Sequence, residues 1–492
     1  MKNVRTFTIW FCAIGCLSFF LFHRAFAADQ EVPKPPLAPV PEVPKAAFQD
    51  GLERIQKAGG RTGVQLVSLP SGEILCDYRS KEPFIPASLV KLLTSYSVLK
   101  RLGPSFRFRT GVYARNEPAD GVVAGDIWIK GGGDPLFVSE TARQLAQAMK
   151  ERGIKQIRGG VFVDSGFFQP ASERVCLDGD CEGSYNPVVS AAAIDFNMVT
   201  LRLSLPPKPG RPVTVDSLPA GDYARVSAAP STGKKGGKLL RIHSLGASGN
   251  GHEEFQISGQ GSSKGARARE FRFMAADPAG LFANAMRAEI EHSGIQILGQ
   301  GAREGTAPAE AVMVASCESA PLSELVASMN KYSNNFMAEM LLRGMGGYVQ
   351  GSPGTSAKGI DVIRTTLNEG GITDGTGMLN CGSGLSRFCR ISPETFCRLL
   401  AAAWQDPIIG ADFTSSLAVN AEQGTLKRRM RKPGLTVRGK TGTLSDVIGF
   451  AGYISGPSGK VYAVTIMLNE VRDRFKARQA IDSFLEEVAF SS

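Results

Sequence analysis

Apolar and polar residues alternate from Val64 to Val67, Pro70-Ser71-Gly72 supply a turn, and Ile74-Leu75-Cys76 run back, which predicts a β-hairpin. At Pro86 the period changes: Leu89, Leu92, Leu93, Tyr96 and Leu99 recur at helical spacing until Gly103, so Pro86 opens a helix. Between Gly103 and about Ala309 the texture is one of short strands, Phe106 to Arg109, Val122 to Ile129, Val161 to Val163 and Val199 to Leu203. Turn signals such as Gly131-Gly132-Gly133-Asp134-Pro135 separate them. This block reads as one or two inserted domains. Helical periodicity returns in Leu281 to His292, Leu322 to Met345, Gly359 to Leu367 and Pro393 to Trp404. Three strand-like runs follow, Leu435 to Arg438, Val447 to Tyr453 and Val461 to Leu468, with a last helix near Ala477 to Val488.

A chain of 492 residues is too long for one core, and 43% apolar with 21% charged residues is a globular composition. Lys2 and Arg5, the apolar run Phe7 to Phe22 and Ala25-Phe26-Ala27 fit a secretory signal peptide, residues 1–27, cleaved after Ala27. The other reading of that run is a retained membrane anchor. Ala13-Ile14-Gly15-Cys16 makes a poor lipoprotein site because apolar residues continue to Phe22. Residues 28–46, with the prolines of Glu31 to Lys45, read as an extended linker. No apolar run elsewhere is long enough to span a bilayer.

Export changes the meaning of the charge. Of the formal +10, Lys2, Arg5 and Arg24 contribute three with no acidic residue before Ala28, leaving a basic mature chain. An exported basic protein meets an anionic cell envelope, so a periplasmic place with loose membrane or wall association is expected, and nucleic acid is not. Lys234-Lys235 with Lys238, and Lys427 to Lys432, are solvated charge clusters. The mature cysteines are Cys76, Cys176, Cys181, Cys317, Cys381, Cys389 and Cys397, an odd number, with Cys176 and Cys181 the easiest pair to bridge. No Cys/His spacing fits a zinc site, and no metal or cofactor is implied.

Three short strings then supply chemistry: Ser88-Leu89-Val90-Lys91, Ser333-Asn334-Asn335 and Lys440-Thr441-Gly442-Thr443. Each is cheap alone, since Ser97/Lys100 and Ser231/Lys234 also fit S-x-x-K, while Ser184/Asn186, Ser248/Asn250 and Ser328/Asn330 also fit S-x-N. Serine is a weak nucleophile until a base removes its proton, and a lysine three residues on along a helix projects beside it. Lys91 serves as that base only when neutral, which requires burial or neighbouring cations to lower its pKa. Ser88 also lies at a helix start, where the dipole favours developing negative charge, whereas Ser97 lies deeper in the same helix and reads as structural. In the second string a Ser333 hydroxyl would bridge Lys91 to a departing amine, and Asn335 would hydrogen-bond a substrate amide. Lys440, Thr441 and Thr443 suit an edge strand facing a carboxylate, with Gly442 admitting the ligand close to the backbone. Backbone N–H groups of Ser88 and Thr443 would form the oxyanion hole. The mature chain has His243, His252 and His292, none beside a G-x-S-x-G elbow, which argues against a Ser-His-Asp triad.

Ser88-x-x-Lys91, Ser333-x-Asn335 and Lys440-Thr441-Gly442, in that order, resemble the motif set of penicillin-binding proteins and serine β-lactamases. Gly131 to Pro135, Gly382-Ser383-Gly384-Leu385-Ser386-Arg387 and the long gap from Ser88 to Ser333 are similar to class C low-molecular-mass penicillin-binding proteins, which are D-alanyl-D-alanine carboxypeptidases and endopeptidases. The resemblance implies an α/β (α+β) transpeptidase-like domain, residues 47–102 joined to 310–492, with mainly-β domain(s) of residues 103–309 inserted between the first two motifs. It implies Ser88 as nucleophile, Lys91 as base, Ser333 as proton relay, Asn335 as the amide contact, and Lys440 with Thr441 and Thr443 as carboxylate anchor. Asp164 and Arg387 are the candidates for holding the amino end of a diaminopimelate side chain, against the plain readings of turn aspartate and surface arginine. The implied partners are peptidoglycan stem peptides and cross-links, with β-lactams as inhibitors. A β-lactamase, or a catalytically idle wall-binding protein, is the alternative. Two positions depart from the pattern: Cys381 stands where relatives usually have aspartate, and Ser445 where some have glutamine.

Overall fold

The computed structural model describes residues 45–69, 71–169, 186–205, 211–227, 231–233, 240–248, 251–262, 268–372 and 377–491. The expected signal peptide, most of the linker, the Lys234 cluster and the Cys176/Cys181 pair lie outside the described residues. The helix Lys45–Ala58 starts on the last two residues assigned to the linker.

The expected hairpin forms, with Arg61–Ser68 antiparallel to Ile74–Tyr78 in the register Val64 to Tyr78. It is one edge of a six-stranded antiparallel sheet that continues through Val461–Asn469, Ile448–Ser455, Thr436–Thr443 and the short Ala418–Val419. Each face of this sheet is apolar and must be covered. On one face lie Lys45–Ala58 and Arg474–Phe490, which bury Phe48, Ile55, Phe484 and Leu485 against Val64, Phe450 and Val464. On the other lies a larger core in which the helices Val90–Leu102, Leu322–Tyr332, Asn335–Gln350 and Pro393–Gln405 pack Leu92, Leu93, Leu325, Met337, Leu341 and Phe396. The helix Val90–Leu102 is buried along most of its length, which is why its leading turn is held rigidly. Asn330 reinforces that packing by donating to Ser95 Oγ and Ser416 Oγ, both at 2.9 Å.

Residues between the first two motifs, the segment expected to be inserted, build a separate core from side chains such as Ile127, Val161, Leu201, Phe255 and Phe282. Its largest sheet has five strands in the order Ala302–Glu304, Val161–Asp164, Ile127–Lys130, Arg109–Ala114 and Val312–Glu318. The last of these pairs antiparallel with Arg109–Ala114, so Val312–Glu318, expected within the 310–492 part, packs with the insert. Sequence pattern could not show this, because strand pairing over such a separation leaves no local mark. The helix Ser139–Glu151 was also not foreseen, although Ala142, Leu145, Ala146 and Met149, its buried residues, carry helical spacing.

Candidate active site

Ser88 lies in a single 3-10 turn, Ala87–Leu89, that runs straight into the helix Val90–Leu102. Ala87 has φ of +49°, a left-handed conformation that side chains other than glycine adopt at a cost of about 1 kcal/mol, so the turn is imposed by its surroundings. Two glycines make those surroundings possible. A Cβ on Gly384, at φ +80°, would stand 1.8 Å from the Ala87 carbonyl oxygen, and one on Gly442 would stand 2.9 Å from that of Pro86. The loop Gly382 to Arg387 and the strand Thr436–Thr443 therefore close directly on the serine turn.

Lys91 is fully buried, and its Nζ lies 3.1 Å from Ser88 Oγ, 2.8 Å from Asn335 Oδ1 and 2.7 Å from the Ser383 carbonyl oxygen. Burial lowers its pKa from 10.5 to about 7, with the Glu339 carboxylate pulling the other way. A large neutral fraction near neutral pH, beside a hydroxyl, is what a general base requires. Since the ammonium form has no lone pair, kcat/KM should fall as pH drops through about 7. A pH series on D-alanine release checks this, and a profile flat from about pH 5 to about pH 8 would contradict a lysine base.

Ser333 joins two helices. It ends Leu322–Tyr332 in a left-handed conformation, φ +57°, and Asn334 caps Asn335–Gln350 by accepting from Met337 N. The expected continuous helical region from Leu322 to Met345 is thus broken at the motif, which turns the Ser333 and Asn335 side chains into the cleft. The capping role of Asn334 coexists with the contact of Asn335 to Lys91.

The third string lies within the strand Thr436–Thr443, the setting expected of it, and extends the strand-like run Leu435 to Arg438. Ala418–Val419 pairs with Gly439 and Arg438 and no further, so from Lys440 onward that edge of the strand has no ladder partner among the described residues. Lys440 is fully buried, and its Nζ donates to Ser333 Oγ and to the Thr441 carbonyl, both at 2.8 Å. Burial and then the Lys91 charge hold its pKa well below the ordinary value. A buried lysine whose charge is further disfavoured by a neighbouring one makes a site that gains from an incoming anion.

Arg387 reaches Ser445 Oγ and, at 2.7 Å, Asp446 Oδ1, joining the Gly382 loop to the residues just past Thr443 at the cleft rim. Asp164 belongs to the insert. It is buried at the end of Val161–Asp164, and its oxygens accept from Gly166 N at 2.9 Å and Ala307 N at 3.1 Å, the bonding of a turn aspartate. Of the other S-x-x-K candidates, Ser97 is buried with no partner for its hydroxyl, and Lys100 pairs with Asp406 at 2.7 Å.

Sequence reasoning missed Glu339. This buried carboxylate accepts from Gly382 N at 3.1 Å and Ser383 N at 2.8 Å through Oε1, which fixes the carbonyl that Lys91 touches. The available signal was its place four residues after Asn335 in an otherwise apolar helix face. A pocket beside Ser333 and Asn335 is walled by Phe336 and, from the insert, by Phe196, Met198 and Met274.

Residues 46–488 match the D-Ala-D-Ala carboxypeptidase 3 (S13) family. A D-alanyl-D-alanine carboxypeptidase of Actinomadura sp. (strain R39) is 30% identical over 421 residues, covering 82% of this chain and 77% of its own. The D-alanyl-D-alanine carboxypeptidase DacB of Haemophilus influenzae is 24% identical over 431 residues, covering 84% and 86%. The crystal structure of penicillin binding protein 4 from Haemophilus influenzae superposes with a TM-score of 0.73 at 21% identity, covering 90% of this chain and 99% of that one. A second structure of that protein, complexed with a β-lactam, gives 0.70.

Proposed function

Because this chain belongs to the D-Ala-D-Ala carboxypeptidase 3 (S13) family of serine peptidases, we propose that Ser88 attacks the carbonyl between the two D-alanines of a peptidoglycan stem peptide, with Lys91 taking its proton. The observation that carries this reading is the buried Lys91 amine 3.1 Å from the Ser88 hydroxyl. The backbone N–H groups of Ser88 and Thr443 stabilise the oxyanion. Lys440, with Thr441 and Thr443, holds the terminal carboxylate, which is the anion its buried environment favours. Asn335 meets the peptide amide, and the Ser333 hydroxyl passes a proton to the departing amine. D-Alanine leaves, and water activated by Lys91 releases the acyl-enzyme. β-Lactams, whose strained amide presents the same carbonyl, acylate Ser88.

The same machinery cuts the D-alanyl bond of a diaminopimelate cross-link, since only the leaving amine differs. Arg387 at the rim is the residue assigned to that side chain. Asp164 is the second residue assigned to it, each of its oxygens accepting one backbone amide and keeping a lone pair for the side-chain amine. The domain division proposed is catalytic residues 47–102 and 310–492 around an insert of residues 103–309, with Val312–Glu318 of the catalytic part paired to Arg109–Ala114 of the insert. The enzyme works in the periplasm, exported by residues 1–27; among the described residues no helix is long and apolar enough to cross a membrane.

Purified uncross-linked and cross-linked muropeptides test the reading. Wild-type enzyme should release D-alanine from the first and resolve the second into monomers, and enzyme pre-treated with a β-lactam should do neither. Inactivity of untreated enzyme on both substrates would refute it. Rapid turnover of the β-lactam itself, with no effect on muropeptides, would make the protein a β-lactamase instead.

A further inference from the structure

Cys381 and Cys389 flank the loop that closes on Ser88. They lie eight residues apart in sequence, both are fully buried, and their sulfur atoms are 3.7 Å apart, near enough that small rotations of the two side chains would bring them to bonding distance. Neither has a role in the chemistry described above. The hydrogen bond from the Cys381 thiol lowers the pKa of Cys389, whose Sγ also contacts Asn380 Oδ1 at 3.1 Å. Cys381 Sγ in turn accepts from Gly384 N at 3.3 Å. Between the two sulfurs runs the whole functional loop: Gly382 and Ser383, whose N–H groups bind Glu339; the Ser383 carbonyl against Lys91; Gly384 against Ala87; and Arg387.

We propose that Cys381 and Cys389 are a disulfide site, and that the cross-link fixes the Ser383 carbonyl against Lys91. Because both sulfurs are buried in the folded protein, oxidation accompanies folding, before the loop packs down. The Cys389 thiolate attacks a small-molecule or protein disulfide, releasing one of its thiols. Deprotonated Cys381 then attacks Cys389 Sγ of the mixed disulfide and releases the other. Two thiol protons are lost, and the electron pair passes to the oxidant, which leaves as its dithiol form. Once covered, the bond is shielded from reductant. Two cysteines so placed in an exported chain are in the compartment where such a bond forms and persists.

The full chain, refolded in a buffer of oxidised and reduced glutathione, tests this. After denaturation, alkylation and trypsin digestion without reductant, cleavage at Arg364, Arg387 and Arg390 should leave Thr365–Arg387 joined to Phe388–Arg390, and reduction should separate them. Alkyl groups on both cysteines, or either one bridged elsewhere, would overturn the site. For the positioning role, penicillin acylation is followed against pH in oxidised and reduced wild type. A carbonyl that stabilises the lysine ammonium is relaxed on reduction, so the acid limb should move to lower pH in wild type. The Cys381→Ser/Cys389→Ser double variant should give one profile in both conditions. Identical profiles for oxidised and reduced wild type would overturn the positioning role. That role rests on Lys91 as the base, whereas the linked peptide is read without any activity, so the two failures are distinguishable.

Discussion

Ser88→Ala should lower kcat/KM for D-alanine release by about 10⁴-fold or more and abolish covalent labelling by a fluorescent penicillin. Ser88 combines a helix-start position with a neutral-capable amine three residues on at its side. Ser97 is buried without a partner, and Lys100 is committed to Asp406. The Lys91 amine loses one contact in the variant but keeps Asn335 and Ser383, so folding stability should change by no more than about 1 kcal/mol. Labelling of the variant at the wild-type rate, with an intact thermal transition, would show that the nucleophile lies elsewhere.

Lys91→Met should cost about 10³-fold in acylation rate, the usual worth of a general base, while leaving the protein as stable at neutral pH or more so. The lysine is fully buried with a pKa near 7 against 10.5 when unfolded, which corresponds to a penalty on the order of 5 kcal/mol in its charged form. Methionine removes that penalty but leaves the Asn335 and Ser383 oxygens without their donor, which returns part of it. The sign with pH is fixed by proton counting. From about pH 7 to about pH 10.5 the unfolded lysine holds a proton that the folded one has released, so wild-type stability rises with pH over this window. The advantage of methionine should accordingly shrink from neutral to alkaline pH in denaturant titrations. A gap that widens with pH would mean that Lys91 is charged in the folded protein and unsuited to act as a base.

What could be read in advance was local. The Ser88 turn, the helix behind it and the Arg61–Tyr78 hairpin carry their own periodicity and turn residues, and an ordered set of motifs is a property of the chain itself. Gly439 and Gly442 interrupt the apolar alternation that marks a strand, so the run read from periodicity stops at Arg438; the strand persists through Lys440 because its other edge is paired with Ile448–Ser455. Glu339 left only a faint mark, a charge on an apolar helix face, because its role depends on that helix meeting the Gly382 loop, and the Cys381–Cys389 approach depends on how that loop folds back on itself. The contact from Ser383 to Lys91 is a backbone carbonyl, which no residue type announces. Asp164 has both a turn role, which its Val163-Asp164-Ser165 setting suggests, and free lone pairs, so its hydrogen bonds alone do not decide between the two readings given for it.

The stem of the insert has a further consequence. The chain leaves the catalytic frame along Arg109–Ala114 and returns along Val312–Glu318 as its antiparallel neighbour, with Arg109 opposite Glu318 and paired to it at 3.0 Å. Exit and entry therefore stand side by side, about 5 Å apart as neighbouring strands are. To the frame below, everything beyond that pair is equivalent to the tip of a long hairpin. Lineages could lengthen, shorten or exchange this cassette, and with it the Phe196, Met198 and Met274 wall beside Ser333, without changing the spacing of the frame's own ends.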